Sequence, residues 1–131
     1  HDDAWTWELQ ALVRARPVYG SRGIRDTLAD VRRAALMQPR EDAQLKKEIV
    51  SMRQKMKHHL SVSRTNAFDL KQDDGGIADI EFITQYLVLK YAHTHPSLCR
   101  YSDNIRLLIE AQHFRYFAVK ATHWRFRGNS C

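Results

Sequence analysis

Apolar residues recur at helical spacing along almost the whole chain. Trp5, Leu9, Leu12 and Val13 define a first helix from about Asp3 to Arg16, which Pro17 stops. Tyr19-Gly20-Ser21 reads as a turn, with Ser21 placed to cap a second helix that runs to about Met37. The apolar face of that helix is Ile24, Leu28, Val31 and Ala35, and Pro39 marks the break after it. A third helix, about Glu41 to Leu60, carries the stripe Leu45, Ile49, Met52, Met56 and Leu60. Its acids lie at the start and its Lys and His residues near the end, which complements the helix dipole.

Ser61 to Ala67 is polar and loop-like, and Phe68-Asp69-Leu70-Lys71 reads as a short strand or merely extended chain. A fourth helix starts around Gly75 and ends near His95, before Pro96. Most residues from Ile77 to Ala92 are apolar, so this helix is the central one, surrounded on most sides. A fifth follows Ser102, with Ile105, Leu108 and Ile109 on its apolar face. The pattern predicts an all-α fold: a bundle of about five helices with a short extended segment before the central one.

At 131 residues the chain is long enough for one domain with its own core. No apolar run approaches the roughly 18 residues of a membrane span. The first residues, His1-Asp2-Asp3-Ala4, read as though cut from something longer and show no signal-peptide pattern. Two cysteines, Cys99 and Cys131, imply no disulfide framework, and a reducing cytoplasm is the expected location.

The net charge of +6 suggests a polyanionic partner until its distribution is considered. Of the 21 Lys and Arg, Arg115, Lys120, Arg125 and Arg127 lie in residues 114–131, which hold none of the 15 Asp and Glu. The body, residues 1–113, is nearly neutral and argues against a nucleic-acid partner. The tail alternates these basic residues with Phe114, Tyr116, Phe117, Trp124 and Phe126. It reads either as a surface that stacks single-stranded nucleic acid or as a divergent end unrelated to the body.

The chemistry concentrates where the fourth helix begins. Asp73, Asp74, Asp79 and Glu81 crowd the entry to a buried helix, and carboxylates are costly to bury unless paired or used. Glu81 and Gln85 share a helix face, whereas Asp79 lies roughly 200 degrees around from Glu81. That pair cannot chelate one metal ion while both are helical. Glu81 is expected to pair with an arginine from another helix, such as Arg14, Arg16 or Arg53.

Gly75 and Gly76 let backbone N–H groups approach a ligand at a helix N-terminus, and Lys71 offers a positive charge to the same phosphate. The neighbouring acids oppose this unless a magnesium ion lies between. The alternative is an ordinary turn with Asp74 as N-cap. His58-His59 and His93-Thr94-His95 have no partners at zinc spacing. The sequence has no P-loop, no Rossmann fingerprint and no nucleophile elbow.

The run Phe68-Asp-Leu-Lys-Gln-Asp-Asp-Gly-Gly-Ile-Ala-Asp-Ile-Glu-Phe-Ile-Thr-Gln-Tyr-Leu-Val-Leu-Lys-Tyr-Ala-His93 resembles the signature of the glutamate–ammonia-ligase adenylyltransferase family. Trp7 to Arg16 with Val18-Tyr19-Gly20, Met52 to Met56, and Arg100 to Arg106 match the family in type and order, so the resemblance covers about residues 4 to 113.

The resemblance implies a helical domain that follows a nucleotidyltransferase core, with wording closer to the adenylyl-transferring half than to the adenylyl-removing one. Such a core would bind ATP and magnesium and pass AMP to glutamine synthetase. Gly20-Ser21 is followed by no D-x-D pair of metal-binding aspartates, so that core is absent from this sequence and the isolated chain is expected to be inactive. Lys71, Gly75 and Gly76 are then expected near the nucleotide. Arg14, Arg16, Asp73, Asp79, Glu81 and Gln85 are expected to support or face the cleft, and no residue is expected to bind a metal.

The implied partners are the chain's own core, glutamine synthetase and the PII signal protein, with no membrane. Family members continue with further helices that residues 114–131 do not resemble. Exposed apolar faces on the fourth and fifth helices are therefore expected, covered by self-association or by the tail. The alternative function is a free-standing helical module that binds a protein or single-stranded nucleic acid through that tail.

Overall fold

The computed structural model describes residues 5–61 and 68–113. Among them the chain forms α1 (Thr6–Arg14), α2 (Arg22–Leu36), α3 (Asp42–Ser61), α4 (Ile77–Tyr91), a 3-10 turn (Pro96–Arg100) and α5 (Asn104–Gln112), with no strand. Asp3 and the tail from Phe114 lie outside the described residues. The all-α expectation holds, but the segment before α4 is not a strand: Leu70 to Gly75 fold as consecutive turns.

The centre of the bundle is α4, as its composition predicts. Ala78, Phe82, Val88 and Leu89 are buried on it, and so are the polar Asp79, Thr84 and Gln85. α1 and α3 pack on α4 from two sides, α5 packs on it as well, and α2 packs on α1 and the 3-10 turn. The common core joins Leu9 and Val13, Leu36, Leu45 and Ile49, Leu98, and Leu107 to the α4 residues. A side chain such as Ile49, with no exposed surface, contributes about 1.5–3 kcal/mol by leaving water.

The helix ends explain where the elements stop. Ser21 caps α2 as expected, its hydroxyl accepting the N–H of Ile24 at 3.4 Å. Arg40 closes the other end, donating to the carbonyls of Ala35 and Gln38, both at 2.7 Å. α4 is shorter than expected at both ends, and its N-cap is Gly76 rather than Asp74. Past Tyr91 the chain turns through Thr94 and His95, and Pro96 then opens the 3-10 turn. α5 is capped by Asp103, not Ser102, because the Asp103 carboxylate accepts the N–H of Arg106 at 3.0 Å.

Two helices bury a different face from the one their apolar pattern predicts. On α2, Ile24 and Val31 are 64% and 58% exposed, and the buried residues are Arg32 and Leu36. On α5, Ile105, Leu108 and Ile109 face outward while Leu107 and Ala111 pack inward. Ile77 and Ile80 on α4 are also exposed.

Arg32 accounts for the turn of α2. Its guanidinium donates to the carbonyls of Leu12 (2.8 Å), Val13 (2.7 Å) and Tyr101 (3.0 Å), and also to that of Cys99. One side chain thereby bonds carbonyls at the end of α1 and at the end of the 3-10 turn.

Candidate functional site

The turns before α4 are held by backbone bonds and by the side chains of their own acids. Asp69 folds back on itself, its Oδ1 accepting the N–H groups of Lys71 (2.8 Å) and Gln72 (3.1 Å). Asp73 closes the same turn, its Oδ2 accepting the N–H of Asp69 at 2.7 Å. The next N–H groups run inward. Gly76 donates to Asp73 O (2.9 Å), Ile77 to Leu70 O (3.0 Å) and Ala78 to Lys71 O (3.0 Å).

Gly75 donates to Asp79 Oδ2 at 2.7 Å. All four N–H groups from Gly75 to Ala78 therefore have acceptors within the chain, and none is open to an anion in this conformation.

The two glycines serve this turn in different ways. Gly75 has φ +79, a left-handed conformation that favours glycine. Gly76 has an ordinary φ of −76 but no room: a Cβ there would lie 2.5 Å from Leu70 O and 2.8 Å from Asp73 O. Lys71 projects from this corner with its side chain exposed, and it takes part in no ion pair or side-chain hydrogen bond among the described residues.

The acids of the corner turn to separate partners. Asp79 is buried, and its Oδ1 accepts Arg53 Nε at 2.7 Å. Arg53 is wholly buried, donates also to Gln72 O at 2.7 Å and lies 5.9 Å from the Phe82 ring centroid. Asp74 pairs with Lys57. Asp74 and Asp79 are thus engaged separately, and among the described residues no three His, Cys, Asp or Glu side chains converge to hold a metal.

Arg53 was legible only as one of three candidate partners for Glu81, and the structure gives it to Asp79 instead. Its position carried a usable signal. Leu45, Ile49 and Arg53 are spaced by four, so residue 53 continues the buried stripe where Met56 and Leu60 do not.

The opposite face of α4 meets α1 through a polar ladder. Gln10 Nε2 donates to Gln85 Oε1 at 2.8 Å in a buried contact. One turn along, Arg14 Nη1 stands 3.4 Å from Glu81 Oε1 and 2.9 Å from Asn104 Oδ1. The two rungs set the antiparallel register of α1 and α4, so the arginine partner expected for Glu81 is Arg14.

A third polar group ties α3 to the far end of α4. Tyr86 donates its hydroxyl to Asp42 at 2.6 Å, and Lys90 reaches the same carboxylate at 2.8 Å. Burial and the hydrogen bond to Asp42 push the Tyr86 phenol up to about 12. Burial alone would raise the Asp42 carboxyl, but the bonds from Lys90 and Tyr86 outweigh it and hold it below its ordinary value.

Arg16 stands apart from this corner. With Arg14, Arg100, Tyr101, Ser102, Asp103 and Arg106 it lines a cleft of about 400 Å³ between the end of α1, the 3-10 turn and the start of α5. The four arginines are brought together from two distant sequence pairs. The sequence reading named Arg14 and Arg16 but missed Arg100 and Arg106.

No family model matches the chain. Curated proteins do. One from Idiomarina loihiensis is 67% identical over 111 residues, which is 85% of this chain. One from Vibrio parahaemolyticus is 51% identical over 107 residues, and one from Mannheimia haemolytica is 50% identical over 110 residues, covering 82% and 84% of the chain. Each is named a bifunctional glutamine synthetase adenylyltransferase/adenylyl-removing enzyme. The chain is homologous to a segment of the glutamine synthetase adenylyltransferase family.

The chain spans a small part of those family members, 12% of the first and 11% of the other two. The family resemblance read in the signature from Phe68 to His93 therefore holds. Among the described residues no helix is long and apolar enough to cross a membrane.

Proposed function

We propose that this chain is the helical domain beside the nucleotidyltransferase core of a cytoplasmic enzyme that adenylylates and deadenylylates glutamine synthetase. The single observation that carries this reading is 67% identity across 85% of the chain to a protein of that name. The sequence wording favours the adenylyl-transferring half. In such an enzyme ATP and magnesium would be held by the core, which supplies the chemistry of AMP transfer, and PII would act on the parent enzyme.

The part assigned to this domain is positional. Asp79 and Arg53 fix the turn before α4, Gly75 and Gly76 give it its shape, and Lys71 projects from it. With the Gly75–Ala78 N–H groups already bonded within the chain, Lys71 carries what charge this corner offers to a phosphate across the domain boundary.

The test is Lys71→Ala in the full-length parent enzyme, measured as adenylylation of glutamine synthetase. Loss of one charge-assisted contact predicts kcat/KM lower by about tenfold. Unchanged kinetics would remove Lys71 from the nucleotide's surroundings.

A further inference from the structure

The cleft at the end of α1 carries more positive charge than its neighbours neutralise. Arg14 is shared between Glu81 and Asn104, and Arg106 stands 3.6 Å from Asp103 and 5.9 Å from the Tyr101 ring centroid. Arg16 and Arg100, both exposed, have no side-chain partner among the described residues. Four guanidinium groups thus line a cleft beside two carboxylates, each of which is already engaged by an arginine.

A fifth arginine lies beside this cleft, in the adjoining one. The ends of α1 and of the 3-10 turn would present carbonyl oxygens, the negative ends of their dipoles, and these repel anions. Arg32, only 8% exposed, donates to the carbonyls of Leu12, Val13, Cys99 and Tyr101 and covers both ends. It also lines the adjoining cleft, which shares Arg16, Arg100, Tyr101 and Ser102 with the first. The opposite wall is the start of α5, which the Asp103 carboxylate already caps, so the attraction for an anion comes from the arginines. Guanidinium forks match the oxygens of a phosphate in pairs.

We propose that the cleft lined by Arg14, Arg16, Arg100 and Arg106 binds a phosphate-bearing small molecule, with Arg16 and Arg100 as its principal contacts. The proposal stands on these residues alone and does not depend on the family's activity or on Lys71.

Titration calorimetry of the 131-residue chain with inorganic pyrophosphate tests it. One saturable site is expected, weaker at high salt because exposed charges are screened. The Arg16→Ala/Arg100→Ala double variant is expected to bind at least about tenfold more weakly, the loss of two charge-assisted contacts. Its circular dichroism should match the parent, because both side chains are exposed.

Orthophosphate and ADP, run alongside, distinguish an inorganic ligand from a nucleotide, and tighter binding of either supports the site. Absence of saturable heat with all three phosphates would overturn the proposal, as expected if the arginines instead dock an acidic protein segment. So would undiminished binding by the double variant, or equal binding of citrate, which would mark nonspecific attraction of anions.

Discussion

Asp79 and Glu81 lie two residues apart on α4 and both pair with an arginine from another helix, yet they occupy opposite environments. The Arg53–Asp79 pair is closed to water, with side chains 0% and 7% exposed and a 2.7 Å contact. The Arg14–Glu81 pair is open, at 40% and 34% exposure and 3.4 Å. Helix geometry requires the separation, because neighbours two positions apart face away from each other. The difference teaches what each carboxylate can do. Asp79 is saturated by Arg53 and the Gly75 N–H, so it holds the turn before α4 in place. Glu81 is bound on one side only, and its arginine also lines a charged cleft.

The closed pair should break most expensively. Asp79→Ala leaves the Arg53 guanidinium buried without its counter-ion and is expected to cost about 3–5 kcal/mol in urea unfolding. Adding Arg53→Met to that variant should recover part of the loss, since a buried thioether carries no unpaired charge. A loss below about 1 kcal/mol, in the range of exposed pairs, would erase the distinction between the two sites.

The turn itself separates contact from conformation. Gly76→Ala is expected to cost about 2 kcal/mol, because the new methyl meets the carbonyls of Leu70 and Asp73 at 2.5 and 2.8 Å and backbone must shift. Gly75→Ala meets nothing within 4 Å and pays only for φ +79, about 1 kcal/mol. If unfolding experiments reversed that order, the loop would be held by its left-handed residue rather than by packing around Gly76.

Much of this was legible in the sequence, and the failures have physical causes. The central place of α4 followed from its composition, and Leu45 and Ile49 were rightly placed in the core. Glu81 was rightly expected to pair with an arginine across helices. The buried faces of α2 and α5 were misread because periodicity records where apolar residues lie, not which neighbours a helix has. Arg32 is a polar residue flanking the apolar face of α2, and four carbonyls at the ends of two other elements draw it inward. No local pattern announces those carbonyls. The arginine cleft was equally hidden, since Arg14 and Arg16 meet Arg100 and Arg106 only after the chain has folded. The spacing of the Gly75-Gly76 pair could not reveal that the helix-start N–H groups would find acceptors in the preceding turn and in Asp79.

The open pair gives the smallest effect on stability and the more informative one on chemistry. Glu81→Gln removes a charge that is partly in water, so its cost should stay within about 1 kcal/mol. The same change releases Arg14 Nη1 from its carboxylate, while Asn104 still holds it at 2.9 Å and Arg14 still lines the cleft. One negative charge fewer beside Arg14, which lines a wet cleft, is worth about 1 kcal/mol to an incoming anion. Pyrophosphate affinity should therefore rise by about fivefold in Glu81→Gln, whereas it should fall in Arg16→Ala/Arg100→Ala. A carboxylate that only braced the fold would leave affinity unmoved. Equal affinity in the parent and Glu81→Gln would place Glu81 with Asp79 as a structural residue and dissolve the contrast between them.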